Sequence, residues 1–425
     1  MRYRQGSHRT NIRFRFQSLS TNEKIKSRSF RIIAVHLRRC AERCSIPIYR
    51  EVLRRRSIIA FYMYLRIVRH SSSIPRPIRR HCLIESFTPS QCWIFFGIRQ
   101  PDLYRLRNVL RFNGVVRLEN RCAMDSEEVF LRGLFELRMA HRQYAIAELV
   151  FGRDQSQQSR AFTYFVNYIY DTFRYLVEDN LQWWFDKGFI HESHRYINRK
   201  LVELGMEALD NQHVTDIFAF IDCNCLETCR VGGGPRSEGA DADRWEDLIQ
   251  RAFYNGWKSV HGLKHQTVDI AHGFTIDMFG PTSLRRNDLV LLRESNINHR
   301  IAALQIGEEN LQLKIFGDSI YPHLSHLYTY RKGRNLTEAQ RTLNHKVKAV
   351  RISIEWNYGA TAKVWSYLRN IDKLKVLEKS GKAMKIYTVA IILKDCRLFL
   401  YGGQSSSYFR IMIDDKMLEQ YVNQA

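Results

Sequence analysis

Ile217-Phe218-Ala219-Phe220-Ile221 is an unbroken apolar run that stops at Asp222. A stretch so short and so uniformly apolar suits a strand covered on both faces, at the centre of a sheet flanked by helices. A second run, Leu311-Gln312-Leu313-Lys314-Ile315-Phe316, stops at Gly317-Asp318. Between the two, residues 263–270 and 274–279 read as strands joined by a turn at His272-Gly273. The loop from Val231 to Asp243, with the breaker Gly232-Gly233-Gly234-Pro235, separates the first strand from that pair. Helical patterning runs through Leu304 and again from Ala339 to about Leu368, the second stretch carrying Glu355. Residues 210–425 are therefore expected to form an α/β domain.

Residues 91–200 read as helical. Leu103, Leu106 and Leu110 share one stripe, and the next helix opens after Asp125-Ser126 with Glu127 and Glu128 in its first turn, where the helix dipole favours acids. Its buried stripe is Phe130, Leu131, Leu134, Phe135 and Leu137. A short helix, Tyr144 to Phe151, stops at Gly152, and a longer one runs from about Gln155 to Leu176. Two helices about a tight glycine turn match a helix-turn-helix, with Ser156, Ser159 and Arg160 where such modules contact bases or phosphates. An ordinary helical bundle gives the same pattern.

Charge is unevenly spread. The chain carries a formal +23, of which residues 1–100 hold +18, leaving the body close to balance. Residues 1–90 fit either a basic arm that tracks phosphates or upstream sequence outside the folded protein. The total points to a polyanionic partner, with nucleic acid first and an anionic membrane surface second. No stretch is long enough to span a bilayer: Ser57 to Val68 is about twelve residues and includes Arg66. No apolar segment followed by a small-residue cleavage site marks a secretory signal. Leu53-Arg54-Arg55-Arg56 and Ile78-Arg79-Arg80-His81 are tracts of the kind that serve nuclear import. Nine scattered cysteines indicate a reducing compartment.

Asp222 and Asp318 each lie just beyond an apolar strand, so they converge if those strands are neighbours. Glu355 sits in a helix one turn after Arg351, near Lys346 and Lys348. Three converging carboxylates repel one another, and a hard divalent cation, Mg²⁺ or Mn²⁺, resolves the conflict. Two such ions about 4 Å apart suit an in-line phosphodiester displacement. Acids at strand ends that cap turns or pair with neighbours are the alternative. Lys258, His261 and Lys264 are placed either to hold phosphates or to form a solvated strand face. Cys223, Cys225 and Cys229, with His261 and His265, lack a usual zinc spacing. The Gly232-Gly233-Gly234 run lacks the Lys-Ser/Thr of a phosphate loop. Asp269, Asp277 and Asp288 are expected at the surface or in turns.

The residues around these acids carry a resemblance. Phe220-Ile221-Asp222, Gly317-Asp318-Ser319-Ile320-Tyr321-Pro322 and Arg351-Ile352-Ser353-Ile354-Glu355-Trp356-Asn357-Tyr358-Gly359 together resemble the DDE endonuclease domain of PIF/Harbinger-type transposases and their domesticated relatives. The stretch from Gln250 to Lys264, Phe279-Gly280-Pro281 with Arg286-Asn287-Asp288, and the segment from Cys396 to Gln404 resemble further parts of that domain. Phe151-Gly152-Arg153 and Ser159-Arg160-Ala161-Phe162 are similar to its helix-turn-helix. The resemblance runs from about Gln91 to the C-terminus.

It implies an RNase H-like mixed sheet with flanking helices, preceded by an all-α, helix-turn-helix-like region. It also implies metal-dependent cleavage of DNA by Asp222, Asp318 and Glu355, and a separate Myb-like protein sharing DNA recognition and nuclear import. Asn287-Asp288 stands where the family has His-Asp, and the loop after Asp222 is enlarged. These departures leave the triad intact and keep open a domesticated, inactive module that binds DNA or protein. The same metal chemistry on RNA is a remote third expectation.

Overall fold

The computed structural model describes residues 33–42, 52–53, 59–60, 82–119, 122–139, 150–152, 155–206, 215–230, 248–304 and 312–424. The chain divides into two units, one of Met1–Cys82 with Arg142–Arg160 and one of Leu83–His141 with Ala161–Ala425. The described part of the first includes a helix over 33–42, tied by an exposed Arg38–Glu42 pair. The short helix expected from Tyr144, and with it the first half of the helix-turn-helix, falls almost wholly outside the described residues.

The second unit begins with helices α1 (Pro89–Phe96), α2 (Gln100–Val109) and α3 (Ser126–Arg138), and a small hairpin of β1 (Val115–Arg117) and β2 (Ala123–Asp125). Asp125 caps α3 by accepting from the Glu127 amide, where the sequence placed the start. α4 (Gln155–Phe173) breaks at Arg174 before α5 (Tyr175–Glu178), so the single long helix expected there is two. Gly133 of α3 lies directly under the Phe165 ring of α4, a close approach that only a residue without Cβ permits. α6 (Leu181–Asp186) and α7 (Phe189–Glu203) lead into the sheet.

The sheet has β3 (Ile217–Glu227), β4 (Tyr254–Asn255), β5 (Val260–Ile270), β6 (Thr275–Ser283), β7 (Lys314–Phe316) and β8 (Leu327–Tyr328). β5 pairs antiparallel with β3 on one edge and with β6 and β4 on the other. β7 runs parallel to β3, and β8 parallel to β7. β4 aside, the strands stand in the order β6-β5-β3-β7-β8, with β3 central, as its apolar run requires. β3 does not stop at Asp222: a nine-residue ladder with β5 carries it on through the polar residues to Glu227.

After β6 come α8 (Asp288–Ser295) and α9 (Ile297–Leu304); after β8 come α10 (Glu338–Val364), α11 (Lys382–Tyr401), α12 (Gln404–Phe409) and α13 (Met417–Val422). Ile197 and Leu201 of α7 and Val347, Val350 and Ile354 of α10 pack around Ile217 and Phe220. α11 is apolar almost all round and buried, the pattern of a core helix, and Phe399 stacks on Phe274 with ring centres 4.3 Å apart. No helix of the described residues is long and apolar enough to cross a membrane.

Candidate metal-dependent nuclease site

Phe220 pairs with Phe316 at the last rung of the parallel ladder; Asp222 lies two residues further along β3, and Asp318 two residues past the end of β7. Asp318 accepts from the Ile320 amide at 2.8 Å, an Asx turn that ends the strand and swings the chain away. Asp222 accepts from the Cys223 amide at 2.8 Å. The third acid arrives from α10, which Thr337 starts with a capping box to Gln340. Arg351, Glu355 and Tyr358 recur at intervals of four and three residues, so they share one face of this helix.

That face is pinned to β5. The Tyr358 and Thr267 hydroxyls are 2.8 Å apart, and Thr267 stands opposite Asp222 in the ladder. Asn357 donates to Asp269 at 3.1 Å and is held in turn by the Ser405 hydroxyl at 3.0 Å. Asp269 and Asp277, expected at the surface, are both buried, the first in this network and the second against Arg300 at 2.7 Å. A buried acid needs a partner, and each partner is distant in sequence, which hid the burial from local pattern.

Arg351 is the hub. Its guanidinium donates to Asp222 at 3.0 Å and to Glu355 at 3.0 Å, with the Tyr330 hydroxyl on it as well. Arg351 and Asp222 are largely buried, at 14% and 23% exposure, whereas Glu355 is half in water at 55%. Burial pushes the Asp222 carboxyl above its ordinary range; Arg351 and the Cys223 amide oppose the rise, and the Asp318 charge adds to it. Burial also raises the Tyr330 pKa; Arg351 opposes that rise, and the Asp318 and Glu355 charges add to it.

Carboxylates are the donor type that a hard divalent cation takes, and the largely buried Asp222 is in need of positive charge. In this arrangement Arg351 supplies that charge, and among the described residues no three His, Cys, Asp or Glu side chains stand close enough to share one ion. Cys223, Cys225 and Cys229 are free thiols and form no zinc group with the histidines.

The remaining expected contacts scatter. Lys264 is taken up by Asp288 at 2.6 Å and by the Arg286 carbonyl. Lys258 and His261 lie at the far end of β5, around the β4–β5 turn. Ser156, Ser159 and Arg160 occupy the first turns of α4, where Arg160 donates to Ser156 at 3.3 Å. Sequence reasoning noted Arg351 only as a basic neighbour of Glu355. Its four-residue spacing to Glu355 was a visible signal, but its second bond to Asp222 was not.

A family model described as DDE superfamily endonuclease matches residues 242–395. The match spans roughly a third of the chain, includes Asp318 and Glu355, and leaves Asp222 outside. It supports placing this segment in that superfamily and points to a transposase-like nuclease, a class that acts on DNA and generally uses divalent metals. No curated protein and no solved structure matches the chain.

Proposed function

We propose that this chain is a metal-dependent DNA endonuclease of the PIF/Harbinger transposase type, built on an RNase H-like sheet, with Asp222, Asp318 and Glu355 as its metal-binding carboxylates. One observation carries the reading: Asp222 and Asp318 each follow the same parallel rung of β3 and β7 by two residues, and Arg351 bonds both Asp222 and Glu355. The strand order, with its antiparallel trio and two parallel additions, supports the fold assignment. Asp222 is the fixed member, bonded and largely buried; Asp318 and Glu355 complete the set from a turn and a helix face. Mg²⁺ or Mn²⁺ bound there would activate the attacking oxygen and stabilise the leaving one. Tyr358 and Asn357 hold α10, and with it Glu355, against β5. A nuclear location and a Myb-like partner belong to the same proposal.

The placement of Arg351 favours one second reading, a domesticated chain that binds DNA or protein without cutting, because a side chain supplies the counter-charge a catalytic metal otherwise brings. The test is nicking of supercoiled plasmid with Mg²⁺ or Mn²⁺, comparing the native chain with Asp318→Asn. Nicking that needs metal and disappears in the variant supports the nuclease. Nicking unchanged in Asp318→Asn refutes the site, and DNA binding without nicking under any metal leaves the binding module.

A further inference from the structure

β4 and the start of β5 make a hairpin whose tip, Gly256 to Ser259, carries Trp257. Its indole is 95% exposed, the most exposed large hydrophobic side chain among the described residues. The tip is not loose. Asn255 accepts from the Lys258 amide at 3.0 Å and donates to the Leu284 carbonyl at 3.2 Å, while the Ser283 hydroxyl donates to the Ala252 carbonyl. Tyr254 and His261 face each other across the strands, with ring centres 5.1 Å apart. A large apolar ring held out into water on a fixed turn costs solvation free energy and gains no packing in return.

The surroundings define what would cover it. Arg251 and Arg285, with Tyr254, Asn255 and Gly256, line a groove beside the tip. Lys258 and Arg285 form no ion pair among the described residues. Arg230 lies on the other flank, bonded to Gln250 at 2.9 Å, and Glu227 is the acid at the neighbouring end of β3. An exposed aromatic face among cations is the arrangement that binds a single nucleic-acid strand: the ring stacks on a base and the cations take the phosphates. The tip also lies on the strand that pairs with Asp222. Val260 and Thr267 are seven residues apart on β5, about 23 Å at about 3.3 Å per residue.

We infer that the β4–β5 tip is a DNA contact in which Trp257 stacks on an unpaired base, with Lys258, Arg285 and Arg251 holding the flanking phosphates. The inference rests on the proposed DNA substrate but not on catalysis. At the duplex spacing of about 3.4 Å per nucleotide along a strand, that distance along β5 corresponds to roughly seven paired nucleotides, and to fewer of an extended single strand.

The test is fluorescence anisotropy of the full chain in EDTA, with labelled oligothymidine and a blunt duplex as probes. Trp257→Ala weakens oligothymidine binding about tenfold or more, changes duplex binding little and leaves the salt dependence intact; Trp257→Phe keeps most of the affinity. Lys258→Ala and Arg285→Ala each reduce the slope of log K on log salt by about 0.7 on the single strand. Oligothymidine bearing 5-bromodeoxyuridine photocrosslinks to the Trp257 peptide. Equal affinity of Trp257→Ala and native protein for oligothymidine overturns the inference, as does equal loss on both probes. So does an effect of Trp257→Ala confined to self-association or to phosphatidylserine vesicles. Because metal is absent, Trp257-dependent binding by a chain that never nicks retires the nuclease reading alone. Nicking with unaltered Trp257→Ala binding retires the tip alone.

Discussion

Replacing Arg351 with leucine keeps most of the side-chain volume and removes the charge at the centre of the site. Asp222 is then left largely buried beside Asp318 with only the Cys223 amide to compensate it. Breaking a buried ion pair by deleting one partner costs about 3–5 kcal/mol. Asp222 keeps 23% exposure, which discounts that figure, and the Glu355 arm, 55% exposed, adds under about 1 kcal/mol. The expected loss is about 2–4 kcal/mol at neutral pH, or roughly 5–12 °C in Tm for a domain of this size. The sign with pH follows from the raised Asp222 pKa, which rises further without Arg351. Below it the carboxyl is neutral and the missing partner no longer matters, so the deficit shrinks as pH falls. A divalent cation should replace the lost charge. Differential scanning calorimetry in EDTA and in Mg²⁺ should therefore show a larger metal-induced rise in Arg351→Leu than in the native chain. Adding Asp222→Asn to that background should recover most of the lost stability. A Tm within about 1 °C of native in EDTA, or equal metal increments in both proteins, would refute the reasoning.

Asp318→Asn should abolish metal-dependent nicking yet shift Tm by no more than about 2 °C, since asparagine also accepts from the Ile320 amide and Arg351 is not bonded to Asp318. Gly133→Ala should destabilise by about 1–3 kcal/mol in chemical denaturation, because its methyl runs into the Phe165 ring; an unchanged midpoint would mean the two helices separate freely. His265 is buried against Tyr387 with neither ring nitrogen bonded, and burial pushes its pKa down to about 3. It stays neutral in the fold and protonates in the unfolded chain. Stability present above pH 6.5 is thus lost by about 1.4 kcal/mol per unit as pH falls toward 3. His265→Phe should flatten that acid limb in a pH series of urea melts, and an identical limb would assign it elsewhere.

Legibility in the sequence tracked how local the cause was. Ile217 to Ile221 and the break at Gly317-Asp318 announced two core strands, and Asp125 announced its helix, because apolar runs and caps act within a few residues. The extension of β3 to Glu227 was illegible: Asp222, Asn224 and Glu227 have no strand pattern, and the ladder to β5 overrode propensity. Tyr358 looked like one more helical aromatic until Thr267, far away in the chain, met its hydroxyl. The acids themselves were readable as candidates, but not the cation set among them. That cation is a property of β3 and α10 together.

Arg351 bonds Asp222 and Glu355 and leaves Asp318 outside its reach. Folding and chemistry therefore weigh differently on the three acids, and drift can separate them. On the proposed nuclease reading, a descendant that no longer needs to cut can discard Asp318 while its core stays intact, whereas discarding Asp222 leaves the largely buried Arg351 with only Tyr330 and the half-exposed Glu355 as partners. In a lineage on its way to domestication, Asp318 is the acid expected to vanish first and Asp222 the one retained longest, even when neither has work left to do.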